Sequence, residues 1–228
     1  MKDRLFIKIA FLFCFLPVNA QNQKDSLTFD LKIKWSEFPL ELSKTYISKN
    51  KDTLQLDQLK FYLSDIQIQF DDNSIFREGK SHLIDIENLN SLSIPICKNN
   101  KKAISKILFS IGVDSLASVS GALSGDLDPS KGMYWAWQSG YINMKIEGTS
   151  SSCKTRKRAF HFHIGGYLEP NYAMRKIALQ PKDNNLEIIM DMAVLFENVS
   201  LSENNSIMIP GKKAMELADI SAKMFKTK

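Results

Sequence analysis

The stretch Tyr141-Ile142-Asn143-Met144-Lys145-Ile146-Glu147, followed after a polar connection by Phe160-His161-Phe162-His163-Ile164, decides how the chain is read. In the first run the even positions are apolar and the odd ones polar, the period-two pattern of a strand with one buried face. In the second, Phe160, Phe162 and Ile164 take the core while His161 and His163 look the other way. Residues 148–158, a basic segment that contains Cys153, read as the hairpin connection. Opposite residues of an antiparallel pair share a face, so both histidines are expected on the side of Asn143 and Lys145.

Upstream, the first strand is expected to begin near Met133, and parity then carries the histidine face back to Tyr141, Trp137 and Trp135. Ser139-Gly140 is the weak point, because a glycine inside a strand often marks a bulge that would turn the tryptophans inward. Both registers stay open. Residues 112–132, rich in Gly, Ser and Asp, have little periodicity, and loops of this length in compact domains are usually functional or mobile. Asp126 and Asp128 lack the spacing of a calcium loop, and Asp128-Pro129 reads as turn chemistry.

Farther out, Leu27, Phe29, Leu31, Ile33 and Trp35 alternate without error, which assigns Trp35 to the core. Residues 54–70 hold one long or two short strands. Leu186, Ile188, Met190 and Met192 form another inward face, where methionines are core filler and not metal ligands. After Pro210-Gly211, the spacing of Met215, Ala218, Ile220 and Met224 fits a short amphipathic C-terminal helix. Seven or more short strands punctuated by turns predict an all-β fold: a single-domain antiparallel β-sandwich over residues 21–228, closed by that helix.

Residues 1–20 have the layout of a cleaved signal peptide, with Lys2, Arg4 and Lys8, an apolar run from Ile9 to Leu16, and a small residue at Ala20. That run is too short to span a bilayer and nothing else in the sequence is a membrane span, so a periplasmic or secreted protein is expected. Cys97 and Cys153 then remain, an even number in an oxidising compartment. This predicts a disulfide between them in preference to a metal-ligating role. The formal net charge is +5, part of it in the leader, and lysines and carboxylates are interspersed. No basic block with interleaved aromatics supports nucleic-acid binding. Neither a Ser/His/Asp or Cys/His constellation nor a Gly-x-Ser-x-Gly elbow is present, so the chain is not expected to be an enzyme.

The run from Gly125 through the Trp135-Ala136-Trp137 block to Tyr141, followed by Phe160-His161-Phe162-His163-Ile164-Gly165-Gly166, resembles the MbnP-like family, named after the methanobactin-associated periplasmic copper-binding protein. Ser110 to Ser115 and Leu59 to Ile66 resemble it as well. The resemblance implies copper as cofactor, held by histidines together with kynurenine made from an oxidised tryptophan. It also implies a diheme peroxidase as the partner that makes this modification. Carried onto this sequence, the metal candidates are His161 and His163, with His82 as a distant third, and Trp135 or Trp137 as the oxidisable residue. The alternative is a metal-free β-sandwich module in which Trp135, Trp137 and Tyr141 form an aromatic platform for a glycan or a protein partner.

Overall fold

The computed structural model describes residues 26–98, 102–138, 140–181 and 185–228; the expected signal peptide lies outside the described residues. The alternating run at the start becomes β1 (Ser26–Trp35), with Phe29, Leu31, Ile33 and Trp35 all buried. Trp35 stacks between Tyr46 and Phe196, at ring-centroid distances of 4.6 and 5.6 Å, as a core residue should. After β2 (Phe38–Pro39) and β3 (Thr45–Ile47) comes β4 (Thr53–Phe70), a single strand of 18 residues. Its buried side chains change parity twice, from Leu54 and Leu56 to Leu59, Phe61 and Leu63, and again to Ile66, Ile68 and Phe70. The second change falls at Asp65, whose φ of 53° marks an inserted residue.

Next come β5 (Ile75–Glu78), β6 (His82–Asp85), β7 (Ser93–Lys98), β8 (Ile104–Ile111), the short helix α1 (Ser115–Val119) and β9 (Tyr134–Trp135). The histidine hairpin is β10 (Gly140–Ser150) and β11 (Ala159–Gly165), followed by β12 (Arg175–Leu179) and β13 (Glu187–Asp191). The chain closes with α2 (Ala193–Asn198), β14 (Ser206–Ile207), α3 (Lys212–Ala222) and β15 (Phe225–Thr227). The expected C-terminal helix is α3. It turns Ala214, Leu217, Ala218 and Ser221 inward, and the chain runs beyond it into a strand.

Among the described residues the strands form two sheets. The smaller has the order β15-β13-β1-β2 with β7 also on β1; the larger has the order β12-β8-β4-β10-β11-β14, with β3, β5 and β6 on β4 and β9 on β10. The fold is mostly β, as expected, but the sheets are mixed. β1 pairs with β13, and β11 with β14, in parallel. The expectation of purely antiparallel strands fails because β13 and β14 reach their partners by long crossovers, which permit either direction, whereas a hairpin permits only one.

The inner faces share one apolar core, in which Phe29 of the smaller sheet meets Phe109 of the larger at 5.4 Å. A second cluster lies on the outer face of the large sheet and contains Tyr62, Val113, Met133, Trp135, Tyr141 and Ile142. The aperiodic segment 112–132 closes over it. Within it Asp114 caps α1 by accepting from the Ala117 N–H, and at the expected Asp128-Pro129 turn the Asp128 carboxylate accepts from the Ser130 N–H.

The expected disulfide is absent, and both Cys97 and Cys153 are free. Cys97 pairs with Leu27 in the smaller sheet. Cys153 follows the end of β10 in the larger one, buried with its thiol 3.7 Å from the Leu201 carbonyl oxygen. Burial pushes both thiols above their ordinary pKa, which keeps them protonated.

Candidate metal centre

β10 and β11 place the histidines where the period-two reading puts them. Lys145 lies opposite His163 and Glu147 opposite His161, so four polar side chains share one face. The Nε2 atom of His163 is 2.7 Å from the Oε1 atom of Glu147, and the Nδ1 atom of His161 is 3.7 Å from the same oxygen. The Nζ atom of Lys145 approaches that oxygen at 3.6 Å. Both rings therefore converge on one carboxylate, at 6.5 Å from each other.

Burial and charge fix the protonation of this group. The His163 side chain is only 10% exposed, while that of His161 is 40% exposed. Burial lowers the His163 pKa, more than the hydrogen bond to Glu147 raises it. For Glu147, burial acts upward, but the hydrogen bond from His163 and the charge of Lys145, joined by the histidines only when they are protonated, outweigh it and hold the carboxyl below its ordinary value. A neutral imidazole thus meets an ionised carboxylate. Since the carboxylate only accepts, Nε2 must carry the hydrogen, which leaves the lone pair on Nδ1. An imidazole whose second nitrogen donates to a carboxylate is the usual state of a metal-ligating histidine.

Glu147 was not singled out by the sequence reading. The signal was available, because antiparallel register across the connection puts it opposite His161. His82, the third metal candidate, is not brought to this pair. It starts β6, which β4 and β10 separate from β11, a gap of three strand spacings or about 14 Å. Its Nε2 atom lies 2.9 Å from the Glu78 carboxylate instead, at the rim of a cavity of about 570 Å³. Most charges there are already paired, with Lys60 on Asp85 at 2.9 Å and Lys131 on Asp126 at 2.8 Å. Among the described residues, no three His, Cys, Asp or Glu side chains stand together in a metal-holding arrangement.

The two tryptophans part company. β9 is only two residues long and folds back on β10, with Trp135 opposite Gly140, so the expected continuous strand from Met133 is a tight hairpin. Trp135 is buried in the second cluster while Trp137, on the turn, is 63% exposed. The Trp135 ring nevertheless reaches the histidine row. It lies against Gly165, where a Cβ would come within 2.7 Å of the indole, and Gly165 is the next residue on the face of β11 that carries His161 and His163. The Trp135 and Trp137 rings are 6.0 Å apart.

Tyr141 does not join an exposed platform. The register between β10 and β11 shifts between Ile142 and Met144, and this bulge buries Asn143, whose side-chain oxygen accepts from the Val113 N–H. Tyr141 is 1% exposed. Its hydroxyl accepts from the Leu123 N–H and lies 2.9 Å from the Leu127 carbonyl.

The MbnP family model matches residues 24–209, which span strands, histidine hairpin and tryptophan turn alike. This chain belongs to the MbnP family. Its structure is similar to that of MbnP from Methylosinus trichosporium, with a TM-score of 0.63 and 14% sequence identity over 80% of this chain and 82% of that one. At this identity the likeness concerns the fold. No curated protein sequence matches the chain. In this MbnP-family chain, no helix among the described residues is long and apolar enough to cross a membrane.

Proposed function

We propose that this chain is a periplasmic or secreted copper-binding protein without catalytic activity, and that His161 and His163 are its metal ligands. One observation carries the reading: two imidazoles on one packed strand face converge on Glu147, and the more buried of them is neutral with one nitrogen committed to that carboxylate. Imidazole nitrogens suit copper, which outcompetes other divalent first-row ions at equal geometry. Glu147 orients His163. The rigid backing of Phe160, Phe162 and Ile164 holds both rings in place. Family membership supports a copper-related role, and the leader-like residues 1–20 support export.

The further ligand is assigned to one of Trp135 and Trp137 after conversion to kynurenine by a diheme peroxidase-type partner. Trp137 is accessible to such a partner, and Trp135 lies along the histidine row. His161→Ala and His163→Ala should each weaken copper binding strongly while the fold survives, with thermal unfolding nearly unchanged for the more exposed His161 and with His82→Ala as the weaker comparison. Undiminished copper stoichiometry in both strand variants would sink the assignment. Peptide mapping of protein from its native host decides whether either tryptophan is modified.

A second reading, a metal-free binding module, draws on a different feature. Trp137 borders a groove of about 430 Å³ with Tyr167, Leu168 and Ile209, and Gln138 and Asn171 supply amide groups. A glycan or protein partner that quenches Trp137 fluorescence in the absence of copper would favour it.

A further inference from the structure

The loop that closes the histidine hairpin carries a feature the metal reading leaves unused. Lys154, Arg156, Lys157 and Arg158 are all exposed, and among the described residues none of these side chains has an ion pair or hydrogen bond. Some lysines elsewhere sit on carboxylates, as in Lys44 on Glu41, Lys49 on Glu197 and Lys102 on Asp72. Four unmatched cations within five residues repel one another. Lys157 and Arg158 also have φ values of 62° and 54°, the left-handed region where a Cβ is strained and glycine is not. Repulsion and backbone strain thus fall on the same two long cationic side chains.

Those two residues border a groove of about 310 Å³ whose other walls include Thr45, Thr53, Thr149 and Ser151. Three adjacent strands supply the threonines, because Gln55 of β4 is the register partner of Thr149 on one side and of Thr45 on the other, and Ser151 follows the end of β10. No carboxylate lines the groove. Asp52, next in the chain to Thr53, is buried and held by the Ser152 hydroxyl. Hydroxyl donors beneath and a guanidinium and an ammonium above, with no competing acid, match the acceptor oxygens of a multiply charged anion. We propose that this groove binds a tetrahedral oxyanion of the phosphate or sulfate class, free or as the terminal group of an ester.

The test is titration of the purified protein with inorganic phosphate, inorganic sulfate and glycerol 1-phosphate at constant ionic strength in a chloride background, followed by backbone amide NMR. Saturable shifts at Thr149, Ser151 and Arg158 are expected. Tighter binding of the ester assigns the ester as the natural source, and equal or weaker binding assigns the free ion. The double variant Lys157→Gly/Arg158→Gly suits the left-handed backbone, so its thermal midpoint should be equal or higher while affinity falls about tenfold or more, the loss of charge-assisted hydrogen bonds. Thr149→Val keeps shape and charge and should lose affinity severalfold. Shifts that grow without saturating, or an affinity unmoved in both variants, would overturn the site. So would an acidic peptide that occupies the same residues and is not displaced by phosphate, which would identify the patch as a protein-docking surface.

Discussion

The two faces of the histidine hairpin differ in how their order is maintained. Phe160, Phe162 and Ile164 point inward in unbroken alternation and meet the shared core with almost no exposure. On the outer face, His161 and His163 follow the same alternation, but their surroundings come from elsewhere: Glu147 across the strand pair, Trp135 from a separate hairpin, and the closing segment 112–132. The inner face is a local property of the sequence. The outer face is assembled by tertiary contacts, and its chemistry depends on that assembly.

Five substitutions sharpen this contrast; apart from His161→Ala, set beside its inner-face neighbour, they run from the largest effect on stability to the smallest. Phe162→Ala removes a fully buried ring from the inner face and should cost about 3–5 kcal/mol in denaturant unfolding. His161→Ala, one position away on the other face, should cost well under a third of that if the faces are as distinct as described. Gly165→Ala introduces a methyl within 2.8 Å of both the Trp135 ring and the Tyr141 carbonyl oxygen. Overpacking of this kind should destabilise by about 1–3 kcal/mol and alter tryptophan fluorescence.

The outer cluster is also expected to fail first at high pH. Burial, the largest influence on both residues, raises the pKa of Tyr62 and of Tyr141, so their folded forms hold their protons more firmly than the unfolded chain does. Their contribution is complete below the ordinary tyrosine value of about 10 and is lost as pH rises from there through the folded values. Tyr141→Phe should flatten this alkaline limb, at a cost of about 1–2 kcal/mol near neutral pH for the hydroxyl's lost hydrogen bonds. An unchanged limb would show that this tyrosine is not what titrates.

The smallest effect on stability belongs to Glu147→Gln. It removes the hydrogen-bonded and charged partner that raises the His163 pKa against burial. NMR titration should therefore find His163 titrating lower than in the parent protein. Copper affinity should fall about tenfold or more, as for other residues that orient a ligand. A His163 titration that stays in place would remove Glu147 from the site.

By itself the sequence determined what depends on a side chain's own strand. Strand periodicity assigned Trp35, the run from Leu186 to Met192 and the inward phenylalanines to the core, and it put His161 and His163 on one face with Lys145. The Trp-x-Trp block and the Phe-His-Phe-His strand carried the family resemblance. Only the tertiary structure decided what depends on a break in period or on a distant strand. Two-residue β9 sent Trp135 inward and Trp137 outward, and the segment 112–132 closed over Tyr141. Long crossovers made β13 and β14 parallel to their partners, and the two cysteines were left free in different parts of the fold. Periodicity propagates orientation only while the backbone stays regular. One inserted residue reverses every side chain beyond it, and nothing local in the sequence says which strand from far along the chain will lie alongside.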